Sequence, residues 1–176
     1  LMGGNDDYTG GLVFETTIRE ATRVAVQSRN DTRIRLFNPQ MRSQGWHELV
    51  ECSLADLATD SGLRSLEEVR DFINADSKRQ WIAYVFGAVY LLKKKFPTQI
   101  THGISLFLES EVPLGKGVSS SAALEVAAMK AIGAAFGIHI EGPQLALWTQ
   151  WVENAIAQSA SGVMDQITVV LGDQDH

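Results

Sequence analysis

The chain has 176 residues, 15 Lys and Arg against 21 Asp and Glu for a formal charge of −6, and 45% apolar residues; it is on the scale of one globular domain rather than a disordered or fibrous chain. The acidic balance offers no general attraction for nucleic acid or an anionic membrane, and no apolar run is long enough to span a bilayer. A single cysteine, Cys52, excludes an internal disulfide, four scattered histidines argue against a structural zinc site, and with no leader pattern a reducing, cytoplasmic setting is expected.

The opening third reads as β. Strands are expected at Leu12-Val13-Phe14, at 22–27 where Val24 and Val26 alternate, and at 33–37 where Ile34 and Leu36 alternate with arginines. Another is expected over 47–53, after a turn carrying Asn38-Pro39 and Ser43-Gln44-Gly45. Ser65 stands three residues before Glu68, the spacing of a capping box, and opens a helix through Phe72 and Ile73. A longer helix is expected over 78–96, where Trp81, Tyr84, Val85, Ala88, Leu91 and Leu92 recur at helical spacing, Lys93, Lys94 and Lys95 offset the negative end, and Pro97 closes the element. That spacing favours core packing of Trp81, Tyr84 and Phe86 over stacking against a base.

Residues 103–110 read as a buried strand with Ile104, Leu106 and Leu108 on one face. A helix of small and apolar residues follows over 122–136, closed by Gly137, and Gly142-Pro143 opens the next one, to about residue 157. Strands first and helices later, without repeat or linker, make one α+β domain.

Between the strand and the first of those helices lies Pro113-Leu114-Gly115-Lys116-Gly117-Val118-Ser119-Ser120-Ser121-Ala122-Ala123. Gly115 and Gly117 permit positive φ and close approach to a ligand, and Ser119, Ser120 and Ser121 place hydroxyls where a helix exposes free N–H groups and its positive dipole end. The combination suits a polyphosphate. It is neither a Walker A loop nor a dinucleotide-binding turn, and on residue types alone it also reads as a glycine turn with a serine cap. Lys116 reads either as a phosphate counter-charge or as a solvent-facing lysine.

This segment resembles the glycine-rich, serine-serine-alanine loop of the GHMP kinase superfamily, which comprises galactokinase, homoserine kinase, mevalonate kinase and phosphomevalonate kinase. Two more segments resemble the family in the same order. Leu1-Met2-Gly3-Gly4-Asn5-Asp6-Asp7-Tyr8-Thr9-Gly10-Gly11 is similar to the galactokinase signature, and Val152-Glu153-Asn154 with Ser161-Gly162-Val163-Met164-Asp165-Gln166 is similar to the stretch ending in glycine, methionine, aspartate and glutamine. Taken singly, Asp7, Glu153 and Asp165 are also compatible with surface loops, helix faces or caps. Within the family the chain resembles plant-type L-arabinokinases and galactokinase-like proteins, on Met2-Gly3-Gly4, Ile18-Arg19-Glu20-Ala21 and the loop and aspartate motifs.

The resemblance implies the N-terminal α+β domain of a two-domain kinase, a ribosomal-protein-like unit with a left-handed β-α-β crossover. Residues 1–176 are expected to be that domain, cut short at both ends and lacking the C-terminal one. It further implies ATP and Mg2+ as cofactors, a monosaccharide as partner, and phosphorylation of its anomeric hydroxyl. Gly115, Lys116, Gly117, Val118, Ser119, Ser120 and Ser121 would hold the phosphates, and Ser121 and Glu153 the magnesium. Asp165 would be the base, while Asp7, Gly4, Gly162 and Asp165 would meet the sugar. Galactokinases carry a glutamate in the place of Gly4, which meets the hydroxyl on the sugar's sixth carbon. L-Arabinose has no sixth carbon, so a buried acid there would go unpaired at a cost of about 1–3 kcal/mol. Glycine removes that cost, and L-arabinose is the expected substrate; galactose, a heptose, and a non-catalytic sugar sensor are the alternatives.

Overall fold

Alternation of apolar and polar residues produces a sheet with one dry face. The computed structural model describes residues 13–172. Its strands are β1 (Thr22–Ser28), β2 (Arg33–Phe37), β3 (Leu49–Ser53), a small hairpin of β4 (Ala58–Thr59) and β5 (Gly62–Leu63), and β6 (Ile104–Ser110). The main sheet has the order β1-β6-β2-β3. β6 runs antiparallel to β1 and parallel to β2, so that Val26, Leu106, Leu36 and Val50 form one row across the sheet. With a side-chain period of two, every other residue of these strands then faces the helices. The opposite face carries the Arg35–Glu51 ion pair at 2.7 Å and the Phe37–Phe107 contact.

Parallel neighbours need a crossover, and the chain from β2 to β6 supplies it through β3, the hairpin, α1 (Leu66–Asn74) and α2 (Ala83–Lys95). Ser65 and Glu68 form the capping box expected at the start of α1. The helix expected over 78–96 divides: Asp76 caps a 3-10 turn over Ser77–Ile82, and α-helix begins at Ala83. The strand expected from His47 starts two residues late, at Leu49. The His47 N–H donates to the Lys78 carbonyl and the Trp81 indole donates to the His47 carbonyl, which ties that residue to the helical layer. At the far end of α2, Lys93 donates to the carbonyls of Pro97 and Ile100, while Lys94 and Lys95 lie over Trp151 and Trp148.

The strand expected at Leu12-Val13-Phe14 is not found. Leu12 lies outside the described residues, and Val13 and Phe14 are irregular, with Phe14 79% exposed. Among the described residues no strand pairs with Val13 and Phe14, and Phe14 instead lines a cavity.

The second half folds as α3 (Ser120–Ala135), α4 (Gly142–Ala155) and α5 (Met164–Leu171). α3 packs against β1, α2, α4 and α5, and its run of alanines permits that many close neighbours. α2 meets α4 at Gly87, where a Cβ would lie 2.6 Å from Val152. Phe86, Leu92, Leu108 and Met129 are fully buried between sheet and helices, each contributing about 1.5–3 kcal/mol of transfer free energy. Cys52 belongs to this core; burial, and then Asp56, push its thiol up to about 12, which keeps it an unreactive thiol at neutral pH. No helix among the described residues is long and apolar enough to cross a membrane.

Candidate active site

The loop after β6 adopts the conformation its glycines permit. Gly115 and Gly117 have φ of 66° and 68°, with open space where a Cβ would stand, so their requirement is conformational. Ser119 shares the left-handed region at φ 60°, an unusual state for a residue with a Cβ. It sits at the N-cap of α3 without making a side-chain cap. A plain serine cap is therefore not what this loop forms; the first turn of α3 keeps its N–H groups uncapped by a side chain.

The start of α3 stands between two cavities, each of about 740 Å³. Gly117, Val118 and Ser119 line the first together with Met164 and Asp165 of α5, Ala123 and Ala127 of α3, and the segment around Thr16 and Thr17. Leu114, Gly115, Ser120 and Ser121 line the second together with Glu153 of α4 and with Trp46, Trp81 and Tyr84. The candidate phosphate loop thus shares one cavity with Asp165 and the other with Glu153. Lys116 is exposed at the loop's tip and lines neither, and Gly162 lies in the connection before α5, outside both walls. Asp7 and Gly4 lie outside the described residues.

Glu153 is only 4% exposed, and its Oε2 accepts from the Ser161 hydroxyl at 3.1 Å and from the Gln166 amide at 2.5 Å. Asn154, next in sequence, holds Ser161 from the other side: it accepts from the Ser161 N–H at 2.9 Å and donates to its carbonyl at 3.0 Å. The connection that carries Asp165 is therefore clasped to the C-terminal turns of α4. Ser121 and Glu153 present hard oxygen donors to one cavity, a set that fits magnesium, which is held by one or two protein oxygens plus phosphate oxygens. Among the described residues no group of three or more His, Cys, Asp or Glu is placed to hold a metal.

Sequence reasoning missed Glu125, Gln166 and Asn154, and set Tyr84 in the core, whereas it is half-buried on the wall of the second cavity. Glu125 is fully buried in α3, and neither carboxyl oxygen has a hydrogen-bond partner. Burial, and then the charge of Glu153, push its carboxyl well above the usual range, and the adjacent Gln166 amide draws it back only in part. The same two causes, burial and then Glu153, push up the Tyr84 hydroxyl. The signal available was a lone acid in an otherwise small and apolar helical stretch.

A pH effect on stability follows. Above the ordinary carboxylate pKa the unfolded chain gives up the Glu125 proton and the native chain keeps it, so stability falls as pH rises, by up to about 1.4 kcal/mol per pH unit, until Glu125 ionises in the native state. Glu125→Gln removes this contribution. Urea melts between pH 5 and 8 should show a shallower decline for the variant, and parallel profiles for the two proteins would contradict the assignment.

A mixed sheet with a parallel pair is thus closed by helices, and a glycine-rich loop delivers a helix N-terminus between two cavities. The family model for the GHMP kinases N terminal domain matches residues 83–173, and the chain belongs to that family. It is 38% identical to an L-arabinokinase of Arabidopsis thaliana over 98% of this chain and 19% of that protein, and 33% identical to a galactokinase of Chloroflexus aurantiacus over the whole chain and 39% of that one. The chain therefore spans about two fifths of the length of the galactokinase, and less of the arabinokinase. Among solved structures, Lactococcus lactis galactokinase complexed with galactose superposes with a TM-score of 0.74 at 25% identity, over 95% of this chain and 38% of that one. The mevalonate kinase of Methanococcus jannaschii, with a TM-score of 0.63 at 16% identity over 85% of this chain and 41% of that one, shares the fold.

Proposed function

We propose that the chain is the N-terminal domain of an ATP-dependent sugar kinase of the galactokinase and arabinokinase type, which phosphorylates the anomeric hydroxyl of a monosaccharide and prefers L-arabinose. The observation that carries this reading is the division of one loop between two cavities, one holding Asp165 and the other Ser121 and Glu153. Phosphoryl transfer needs alignment and charge neutralisation above all. The second cavity would take ATP, whose phosphates the backbone amides between Gly115 and Ser120 would hold, with Tyr84 and Trp46 among the residues lining the same cavity. Ser121 and Glu153 would hold magnesium, which would neutralise phosphate charge. The sugar lies in the first cavity, where Asp165 accepts the proton of the anomeric hydroxyl as its oxygen bonds to the γ-phosphorus and the bond to the ADP oxygen breaks. A second, C-terminal domain completes the cleft in the whole protein.

The preference for L-arabinose rests on Gly4, which leaves no acid in want of a sixth-carbon hydroxyl. The galactokinase relatives support galactose as the other reading. A sugar panel with the complete protein, following ADP release, decides between them. A kcat/KM for L-arabinose about tenfold or more above that for galactose is expected; equal or greater efficiency with galactose removes the preference, and ATP turnover indifferent to every sugar removes the kinase reading.

A further inference from the structure

The two cavities are tied together by one buried side chain. Gln166 is fully buried. Its Nε2 donates to Glu153, on the wall of the second cavity, while the adjoining residue in the first turn of α5 is Asp165, on the wall of the first. An amide presents a donor on one side and an acceptor on the other, so only one of its two orientations bonds a carboxylate. Turned over, its oxygen would face Glu153 as one acceptor against another. At the other end of the amide, its Oε1 and both oxygens of the neighbouring Glu125 have no aligned hydrogen-bond partner among the described residues. A fully buried amide is retained there, between two carboxyl groups, where a leucine of similar size would bury no amide oxygen without a partner.

The local architecture explains what the tie holds. α5 begins without a side-chain cap, and the segment leading into it is clasped to α4 through Ser161. Of the donors to Glu153 Oε2, Ser161 lies in this segment and Gln166 in the first turn of α5, on either side of Gly162 to Asp165. Loss of the Gln166 bond leaves Glu153 Oε2 to the Ser161 hydroxyl, while the Ser159 N–H still donates to the Glu153 carbonyl.

We infer that Gln166 is a positioning residue, whose buried amide fixes the Glu153 carboxylate in one cavity and the first turn of α5, with Asp165, in the other. The inference rests on the proposed phosphoryl transfer for its catalytic half, whereas the mechanical half stands on the hydrogen bonds alone.

Gln166→Leu in the complete protein tests it, with the equally sized Gln166→Glu used should the leucine variant not fold. Outer-shell support of this kind changes metal affinity or activity by about 10–100-fold. The expected result is a fall in kcat of that size and a rise in the magnesium concentration that gives half-maximal rate, with the KM for sugar moved less than about twofold. Hydrogen exchange is expected to quicken at 161–167 and stay unchanged in the sheet. A residue that only supports the fold would lower the melting temperature and leave the magnesium requirement where it was, and that result overturns the inference. So does a variant with parental kcat and parental exchange at 161–167. If the parent shows no sugar-dependent turnover, the kinase reading and the catalytic half of the inference both fall, while exchange still reports on the tie.

Discussion

Asp165→Asn in the complete protein is expected to lower kcat for sugar-dependent ATP turnover by about a hundred- to ten-thousandfold, the range that a positioned proton acceptor contributes. Asparagine keeps the size of the side chain and its place in the first turn of α5. It cannot accept the hydroxyl proton. The anomeric hydroxyl is more acidic than an ordinary alcohol, which makes a carboxylate an adequate base for it. Because Asp165 lines the first cavity and Ser121 and Glu153 the second, the KM for ATP should stay within about twofold of the parent. Such a loss, confined to kcat, marks an interaction made only in the transition state. Initial-rate measurement of ADP release with varied ATP and varied sugar provides the check. A kcat within about fivefold of the parent would take the base role away from Asp165.

Gly103→Ala is expected to have the largest effect on the fold, costing about 3 kcal/mol or more. Gly103 leads into β6, its N–H donates to the Asp31 carbonyl, and its carbonyl accepts from the Arg29 N–H. A Cβ there would stand 2.0 Å from the carbonyl oxygen of Arg33 and 2.6 Å from its nitrogen. Those are backbone atoms at the start of β2, so the clash cannot be relieved by a side-chain rotation; β2 and β6 would have to part at the parallel pairing that begins with Ile34 and Ile104. Gly115→Ala is the control, since nothing lies within 4 Å of its Cβ and only the positive φ is strained, at a cost of about 1 kcal/mol. Urea denaturation of the two variants should place the midpoint of Gly103→Ala far below that of Gly115→Ala. Equal midpoints would mean that the β2–β6 start tolerates more separation than its geometry suggests.

Local rules made much of the architecture legible. Val24, Val26, Ile34, Leu36, Ile104, Leu106 and Leu108 alternate, and the sheet face they define is the buried one. Ser65 and Glu68 form the cap their spacing predicts. Where local rules failed, a distant partner had intervened. His47 left the strand because Lys78 and Trp81 hold its backbone, and Phe14 formed no strand because none lay beside it. Tyr84 was placed in the core by helical spacing, yet the second cavity opens along that side of α2.

By itself the sequence determined β1, β2, β3 and β6, the helices α1 to α4 and the glycine-rich loop ahead of α3, because turns, caps and periodicity are settled by residues a few positions apart, and the likeness of its motifs marked the GHMP kinases; the β4–β5 hairpin and α5 were not foreseen. Tertiary structure alone decided that this loop is shared between two cavities and that Glu125, Gln166 and Glu153 form a buried polar cluster between α3, α4 and α5. Burial and electrostatic neighbourhood depend on which elements pack together, so a lone glutamate in a run of alanines hints at burial, but which groups it faces is settled only when the helices around it are in place.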